Sequence, residues 1–218
     1  KIIHLRSDNI QVRKISSTAE YTLSLILMSI RSPHKYFDLT RQKIWNRYFF
    51  SSKQFFNYNV GIIGYGRIGK KLYKYLKNLN FKVIFYDNKY HTKNKLNNLL
   101  KVSDVVSINI NFKKNNFNFV DRNFLKKCKN NVKLINSSRG EVINEEHLID
   151  FLKKNKHAEA YLDCIKGEQD KVNKSILIKN IRKLKNVFIS PHVGGSCIDA
   201  IENTEEIVIK EFLKYEKN

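Results

Sequence analysis

The sequence predicts an α/β protein built on a doubly wound parallel sheet. From Val60 onward, short runs of β-branched residues alternate with longer amphipathic segments. A glycine motif stands at the first strand-to-helix turn, and an acidic residue ends the second strand. Strands joined by right-handed helical crossovers form such a sheet, and ligands bind at the carboxyl ends of its strands. Functional residues are therefore expected directly after the predicted strands.

The individual elements follow from hydrophobic periodicity. Helical spacing predicts a first helix from Thr18 to Arg31, with Thr18 as its N-cap, and Pro33 ends it because the residue before a proline is disfavoured in the helical region. The predicted strands are residues 60–63, 82–86, 105–110, 132–135, 158–162 and 187–189. Further helices are predicted at residues 69–79, 95–101, 121–127, 145–154 and 198–214.

Composition sets limits on the class of protein. The net charge is +21, but the lysines are spread along the chain without a basic stripe, so we expect no nucleic-acid partner. Cys128, Cys164 and Cys197 stand far apart, which indicates neither a metal site nor disulfides and favours reduced thiols in the cytoplasm. The longest apolar run, residues 23–30, is too short to cross a bilayer, so no membrane partner is expected.

The glycine motif at residues 64–69, GYGRIG, follows a predicted strand and opens a predicted helix. In this setting Gly64 allows a tight turn, Gly66 lets the backbone approach a pyrophosphate, and Gly69 allows close packing of helix on strand. The amide groups and the dipole of the helix N-terminus then favour the phosphates. The motif predicts a dinucleotide-binding site.

The acidic residue after the second strand specifies the dinucleotide. Asp87 lies 18 residues beyond Gly69 (87 − 69), the usual distance to the acid that accepts the adenosine ribose hydroxyls. A carboxylate there repels a 2′-phosphate, which favours NAD over NADP, although nearby Lys89 acts in the opposite direction.

Three further segments follow predicted strands and carry polar groups, at residues 135–141, 160–168 and 190–196. Each has an ordinary interpretation when it is taken alone. Arg139 could be a solvated arginine, Glu168 a loop charge, and His192 a capping or core histidine.

Taken together with the glycine motif, these segments resemble the D-isomer-specific 2-hydroxyacid dehydrogenase family, which includes phosphoglycerate dehydrogenases. The resemblance runs from about Thr18 to the end of the chain and implies a Rossmann fold and NAD-dependent hydride transfer between a D-2-hydroxy acid and a 2-oxo acid. It implies that His192 is the acid/base, that Glu168 orients His192, and that Arg139 binds the substrate carboxylate. Imidazole suits proton exchange near neutral pH, and a guanidinium suits a carboxylate.

The same resemblance implies a set of coenzyme contacts and a homodimer. Asp163 is expected to accept a hydrogen bond from the nicotinamide carboxamide. The other implied contacts with NAD are made by Arg67, Ile68, Ile110, Ser137, Ser138 and Gly194.

The sequence also departs from the family. Asn109 and Asn111 replace the ends of a His-x-Pro stretch, Gln169 replaces a proline after Glu168, and Asn144 replaces an aspartate. Family members carry an N-terminal substrate domain. We therefore expect residues 1–17 to be a remnant of that domain or linker, residues 18–196 to bind NAD, and residues 197–218 to form a helix that returns toward the missing domain.

Two functions remain open from the sequence. On the first, the protein is a dehydrogenase, and the chain alone should bind NAD but catalyse poorly because the cleft between domains is incomplete. On the second, it is a non-catalytic NAD-sensing protein that resembles a corepressor, for which the high positive charge is the support.

Overall fold

The structure, a computed structural model, describes residues 10–48, 52–169 and 175–216. Within these residues the strands form one parallel sheet in the order β2-β1-β3-β4-β5-β6. The strands are β1 (Asn59–Ile63), β2 (Lys82–Tyr86), β3 (Val105–Ile108), β4 (Lys133–Asn136), β5 (Glu159–Leu162) and β6 (Val187–Ile189). The predicted doubly wound sheet is confirmed. The strand order reverses between β1 and β3, where such folds bind ligands.

Strand β3 is shorter than the sequence predicts. The backbone amide of Asn109 still donates to the carbonyl of Ile63, at 2.7 Å. Gly64, which directly follows β1, then turns the backbone away from β3 with a φ of +93°. Pairing therefore stops at Ile108, and the residues after it form the wall of a cleft.

The helices lie on both faces of the sheet. They are α1 (Ile10–Lys14), α2 (Ser17–Arg31), α3 (Pro33–Arg41), α4 (Arg67–Asn78), α5 (Lys93–Val102), α6 (Arg122–Leu125), α7 (Glu145–Lys154), α8 (Ile176–Asn180) and α9 (Ile198–Glu216). Side chains of α2 and α4 fill the apolar core on one face, and those of α5 to α8 fill the core on the other. Val105 and Val106 point into opposite cores, as neighbours in a strand must. Both faces are therefore covered.

The N-terminus of α2 differs from the prediction. Ser16, not Thr18, occupies the N-cap, and it makes no side-chain capping bond. Thr18 lies inside the first turn, where its carbonyl accepts a hydrogen bond from the Thr22 hydroxyl at 2.6 Å. The predicted N-cap was wrong because Ser16, two residues before Thr18, can start the same helix, and hydrophobic periodicity does not fix the first residue of a helix.

The end of α2 is where the sequence placed it, but a second helix follows at once. Ser32 takes a left-handed conformation, with φ of 49°, and Pro33 then starts α3. Proline suits the first helical position because it lacks only an N–H that would have no partner there. The sequence predicts only a helix end at Pro33, and α3 is an additional helix that begins at this residue.

None of the helices in the described ranges combines the length and apolar character that a membrane span requires.

Candidate active site

A cleft of about 1140 Å³ opens at the carboxyl edge of the sheet. The loops after β1, β2 and β3 form one wall, and the loops after β4, β5 and β6 form the other. Most of the predicted site residues line it, namely Gly64, Gly66, Arg67, Ile68, Asp87, Ile110, Ser137, Ser138, Arg139, Asp163 and His192. The fold thus brings together residues that the sequence separates by more than a hundred positions.

The glycine loop has the shape that a dinucleotide phosphate needs. A Cβ at Gly64 would lie 2.5 Å from the carbonyl oxygen of Asn109, and one at Gly69 would lie 2.0 Å from the carbonyl oxygen of Gly64. A Cβ at Gly66 would meet no atom within 4 Å. Two glycines are therefore needed for packing, while Gly66 faces open space at the N-terminus of α4, where amide groups can bind a pyrophosphate. These residues fit NAD.

Asp87 is held against the glycine loop. One carboxylate oxygen accepts from the amide of Tyr65 at 2.8 Å, and the other accepts from the amide of Lys89 at 3.0 Å. Each oxygen keeps a free lone pair, so the carboxylate can still accept from two ribose hydroxyls. The ammonium of Lys89 instead lies 5.5 Å from the ring centre of Tyr90.

Arg67 makes a contact that the sequence did not predict. Its guanidinium donates to the carbonyl of Ile15 at 2.9 Å and, at 3.5 Å, to that of Val12. Burial lowers the pKa of Arg67 from its ordinary value. The first residue of α4 therefore connects the glycine loop to α1 and to the residue that follows α1, in addition to lining the cleft.

The loop after β4 presents Arg139 to the cleft. Arg139 is exposed, and its guanidinium donates to the carbonyl of Ser138 at 2.6 Å, which leaves its other N–H groups available. The next residue, Gly140, packs so closely on the following loop that a Cβ would lie 2.0 Å from the carbonyl carbon of Ile165.

Glu168 and His192 form a pair at the edge of the cleft. Nδ1 of His192 contacts Oε1 of Glu168, and the other oxygen of Glu168 accepts from the amide of Ile165 at 3.2 Å. With its Nδ1 proton donated to a carboxylate, the ring presents Nε2 for proton exchange. His192 is 42% exposed on its side chain, so a substrate can reach it.

Asp163, expected at the nicotinamide carboxamide, is 1% exposed and supports the neighbouring loop. Its carboxylate accepts from the hydroxyl of Ser190 at 2.6 Å, from the amide of Val193 at 3.0 Å and from that of Gly194 at 2.8 Å. Gly194 therefore contacts Asp163, while Gly195 lines the cleft. Asp163 holds the loop that carries His192.

The departures from the family pattern have local explanations at two positions. Asn144 caps α7 by accepting from the amide of His147 at 3.0 Å, as an aspartate would. Asn109 donates to Ser107, but its Oδ1 is buried without a partner. Gln169 is exposed.

Sequence reasoning missed part of the cleft wall. The additional lining residues are Thr18, Ile63, Tyr86, Asn88, Asn109, Asn111, Lys113, Asn115, Asn116, Phe119 and Gly195. Most follow β2 or β3, so their position after a strand was a usable signal. Within the described part of the chain, no group of three or more His, Cys, Asp or Glu side chains could hold a metal ion.

Comparison with known proteins agrees with this geometry. A family model described as "D-isomer specific 2-hydroxyacid dehydrogenase, NAD binding domain" matches residues 23–194. The chain is 32% identical to D-3-phosphoglycerate dehydrogenase of Haemophilus influenzae, over 93% of this chain and 51% of that protein. It is 29% identical to glyoxylate reductase of Thermofilum pendens, over 90% of this chain and 61% of that protein.

Solved structures give the same result. D-lactate dehydrogenase from Aquifex aeolicus, complexed with NAD and lactic acid, superposes with a TM-score of 0.80 at 25% identity, over 91% of this chain and 66% of that chain. A D-lactate dehydrogenase from Sporolactobacillus superposes with a TM-score of 0.82 at 29% identity, over 93% and 65%. The chain thus spans between half and two thirds of these relatives. The predicted Rossmann fold and the prediction of NAD as the dinucleotide are confirmed.

Proposed function

This chain belongs to the D-isomer specific 2-hydroxyacid dehydrogenase family, and from that membership we propose that its protein transfers a hydride between NAD and a D-2-hydroxy acid. The observation that carries the proposal is the contact between Glu168 and His192 at the edge of the cleft that Arg139 also lines. Dehydrogenation of a hydroxy acid needs a proton acceptor and a carboxylate-binding group beside the coenzyme. These side chains supply both.

Each side chain has one task in the proposed reaction. When bound, NAD would supply the hydride acceptor for oxidation and, as NADH, the hydride donor for reduction. His192 takes the hydroxyl proton at Nε2 during oxidation and gives a proton to the forming hydroxyl during reduction. Glu168 keeps the Nδ1 proton in place and stabilises the imidazolium. Arg139 binds the substrate carboxylate through its free N–H groups.

Coenzyme binding is tested on the 218-residue chain itself. Calorimetric titration with NADH should show binding, because the glycine loop and Asp87 lie wholly within it. The absence of binding would overturn the proposal.

Turnover is tested on the full-length protein that carries this sequence, because the relatives are longer than this chain. A panel of 2-oxo acids is supplied and NADH oxidation is followed. His192→Asn should lower kcat by about 10²–10⁴-fold and leave NADH affinity unchanged, whereas His157→Asn, an exposed histidine before β5, should change neither. NADH binding without any turnover, together with salt-sensitive binding of nucleic acid, would favour the NAD-sensing alternative.

We further propose a homodimer in the cytoplasm. Phe37, Ile44 and Trp45 are 61%, 42% and 88% exposed, on α3 and the turn after it, and provide apolar surface for a second copy. The free cysteines suit a reducing compartment. Sedimentation tests the dimer: replacing Trp45 by Ala should raise the dimer dissociation constant, and a wild-type protein that sediments as a monomer would contradict it.

A further inference from the structure

We infer that Asn136 is the positioning residue for Arg139, and this inference rests on the proposed function because it concerns how the substrate-binding arginine is held. Asn136 is the last residue of β4, and none of its surface is exposed. It is absent from the wall of the cleft, so it acts through its neighbours and not by touching substrate or coenzyme.

The side-chain amide of Asn136 holds the loop that follows it through both its oxygen and its nitrogen. Its Oδ1 accepts from the amide of Ser138 at 3.1 Å and from the Ser138 hydroxyl at 2.7 Å. Its Nδ2 donates to the carbonyl of Arg139 at 2.9 Å. Because the loop supplies two donors and one acceptor, the side chain must offer both functions, which a primary amide does and a carboxylate does not. These bonds fix the Arg139 backbone from which the guanidinium extends.

The backbone of Asn136 connects the same loop to the one that carries His192. Its carbonyl accepts from the amide of Asp163 at 2.8 Å. The carboxylate of Asp163 in turn holds the amides of Val193 and Gly194. Two buried residues at the ends of adjacent strands therefore set the distance between the carboxylate-binding arginine and the acid/base histidine.

A second buried contact fixes the loop from the side of α2. The Thr22 hydroxyl donates its one proton to the carbonyl of Thr18, so in its 2.5 Å contact with Ser137 the serine hydroxyl must be the donor. The Ser137 proton is thereby engaged within the protein. Thr22 holds Ser137 and Asn136 holds residues 138 and 139, so the loop has little freedom to shift when a substrate binds.

The test uses Asn136→Ala and Asn136→Asp in the full-length protein that carries this sequence. The alanine removes all three side-chain bonds. The aspartate keeps the acceptor for Ser138 but sets a carboxylate oxygen against the Arg139 carbonyl, unless it is protonated and donates as the amide does. Asn186→Ala is the matched control, because Asn186 also braces backbone carbonyls, those of Leu152 and Ala158, but away from the cleft.

Kinetics test the effect on the reaction. We expect kcat/KM for the 2-oxo acid to fall by about tenfold or more in both Asn136 variants, mostly through a higher KM. The aspartate variant should recover relative to wild type as the pH is lowered, and the alanine variant should not, since only the first can regain a donor. NADH affinity of the aspartate variant should stay within about threefold of wild type. A role in folding alone would lower substrate turnover and NADH binding together, so the split between substrate and coenzyme distinguishes the two roles.

Hydrogen exchange tests whether Asn136 holds this loop, and it does so independently of enzyme activity. The Ser138 amide should exchange about tenfold faster in Asn136→Ala than in wild type, and unchanged in Asn186→Ala. Unchanged exchange, or faster exchange with kcat/KM within about twofold of wild type, would overturn the inference. If wild type itself turns over no 2-oxo acid, the proposed function fails, and the exchange result still decides whether Asn136 holds this loop.

Discussion

Gly66→Ala separates coenzyme binding from folding. A Cβ at this position would meet no protein atom within 4 Å, and φ at Gly66 is −80°, which alanine adopts without strain. Gly66 is the N-cap of α4, so the substitution should destabilise the fold by less than about 1 kcal/mol. The corresponding change in Tm is below about 4 °C for a chain of this size.

The same methyl group should weaken coenzyme binding strongly. It would fill the open space over the N-terminus of α4, through which a pyrophosphate approaches the helix amides. Loss of one charge-assisted hydrogen bond to a phosphate, about 1.5–3 kcal/mol, corresponds to a rise in Kd of roughly 10- to 150-fold.

The assay combines calorimetric titration with NADH and thermal unfolding without coenzyme. Gly69→Ala is the comparison variant, because its Cβ would lie 2.0 Å from the Gly64 carbonyl oxygen and should destabilise the fold by about 1–3 kcal/mol. If Gly66→Ala binds NADH as wild type does, the coenzyme does not lie over Gly66 and the reasoning is refuted. A large drop in Tm for Gly66→Ala would refute the claim that this space is open.

Three other outcomes are expected. In the full-length protein, Glu168→Gln should lower kcat by roughly 10²-fold, because a neutral amide no longer stabilises the imidazolium of His192, and an unchanged kcat would exclude the contact from the mechanism. Alkylation of the native chain followed by mass spectrometry should label exposed Cys197 and spare Cys128, because burial raises the pKa of the Cys128 thiol to about 12; equal labelling would contradict this. Burial alone would raise the pKa of Glu159, but the hydrogen bonds and charges of Lys35 and Lys133 outweigh burial and hold that pKa below its ordinary value. Glu159→Gln should therefore lower the free energy of unfolding by about 1–2 kcal/mol at pH 7. A carboxyl whose pKa is lower in the folded protein than in the unfolded chain stabilises the fold at pH values above the unfolded pKa, and this stabilisation is lost as the pH falls through the folded pKa. The difference in unfolding free energy between wild type and Glu159→Gln, measured by denaturant unfolding, should therefore disappear below about pH 4. A difference that does not depend on pH would contradict the lowered pKa of Glu159.

The sheet and the coenzyme motif could be predicted because their signals are local. A buried parallel strand is a short β-branched run wherever it occurs, and the glycine motif lies within one strand-to-helix turn, where close backbone contacts require Gly64 and Gly69. Helix starts were harder. Ser16, Ser17 and Thr18 all suit a helix start, and Pro33 both ends one helix and begins the next, so sequence alone left the first residue of α2 and the existence of α3 undetermined.

Several members of the candidate site could be predicted from the sequence, but the hydrogen bonds that hold them in place could not. Arg139, Glu168 and His192 follow strands and carry suitable chemistry, which the sequence displays directly. The contacts of Asp163 could not be read in the same way, because its partners Ser190, Val193 and Gly194 lie 27 to 31 positions away and meet it only across the sheet edge. Arg67 likewise has partners 52 and 55 positions earlier in the chain.

Burial distinguishes two kinds of residue that stand side by side in the same motifs. Arg139 and His192 reach solvent, as groups that meet a substrate must, whereas Asn136 and Asp163 are 0% and 1% exposed. A buried polar group is retained only if its hydrogen bonds are satisfied, and each of these two satisfies its bonds with the loop that carries an exposed partner. Replacing an exposed member should remove a chemical group, and replacing a buried one should displace that group. Such variants therefore differ in whether a conservative substitution or a change of pH restores function.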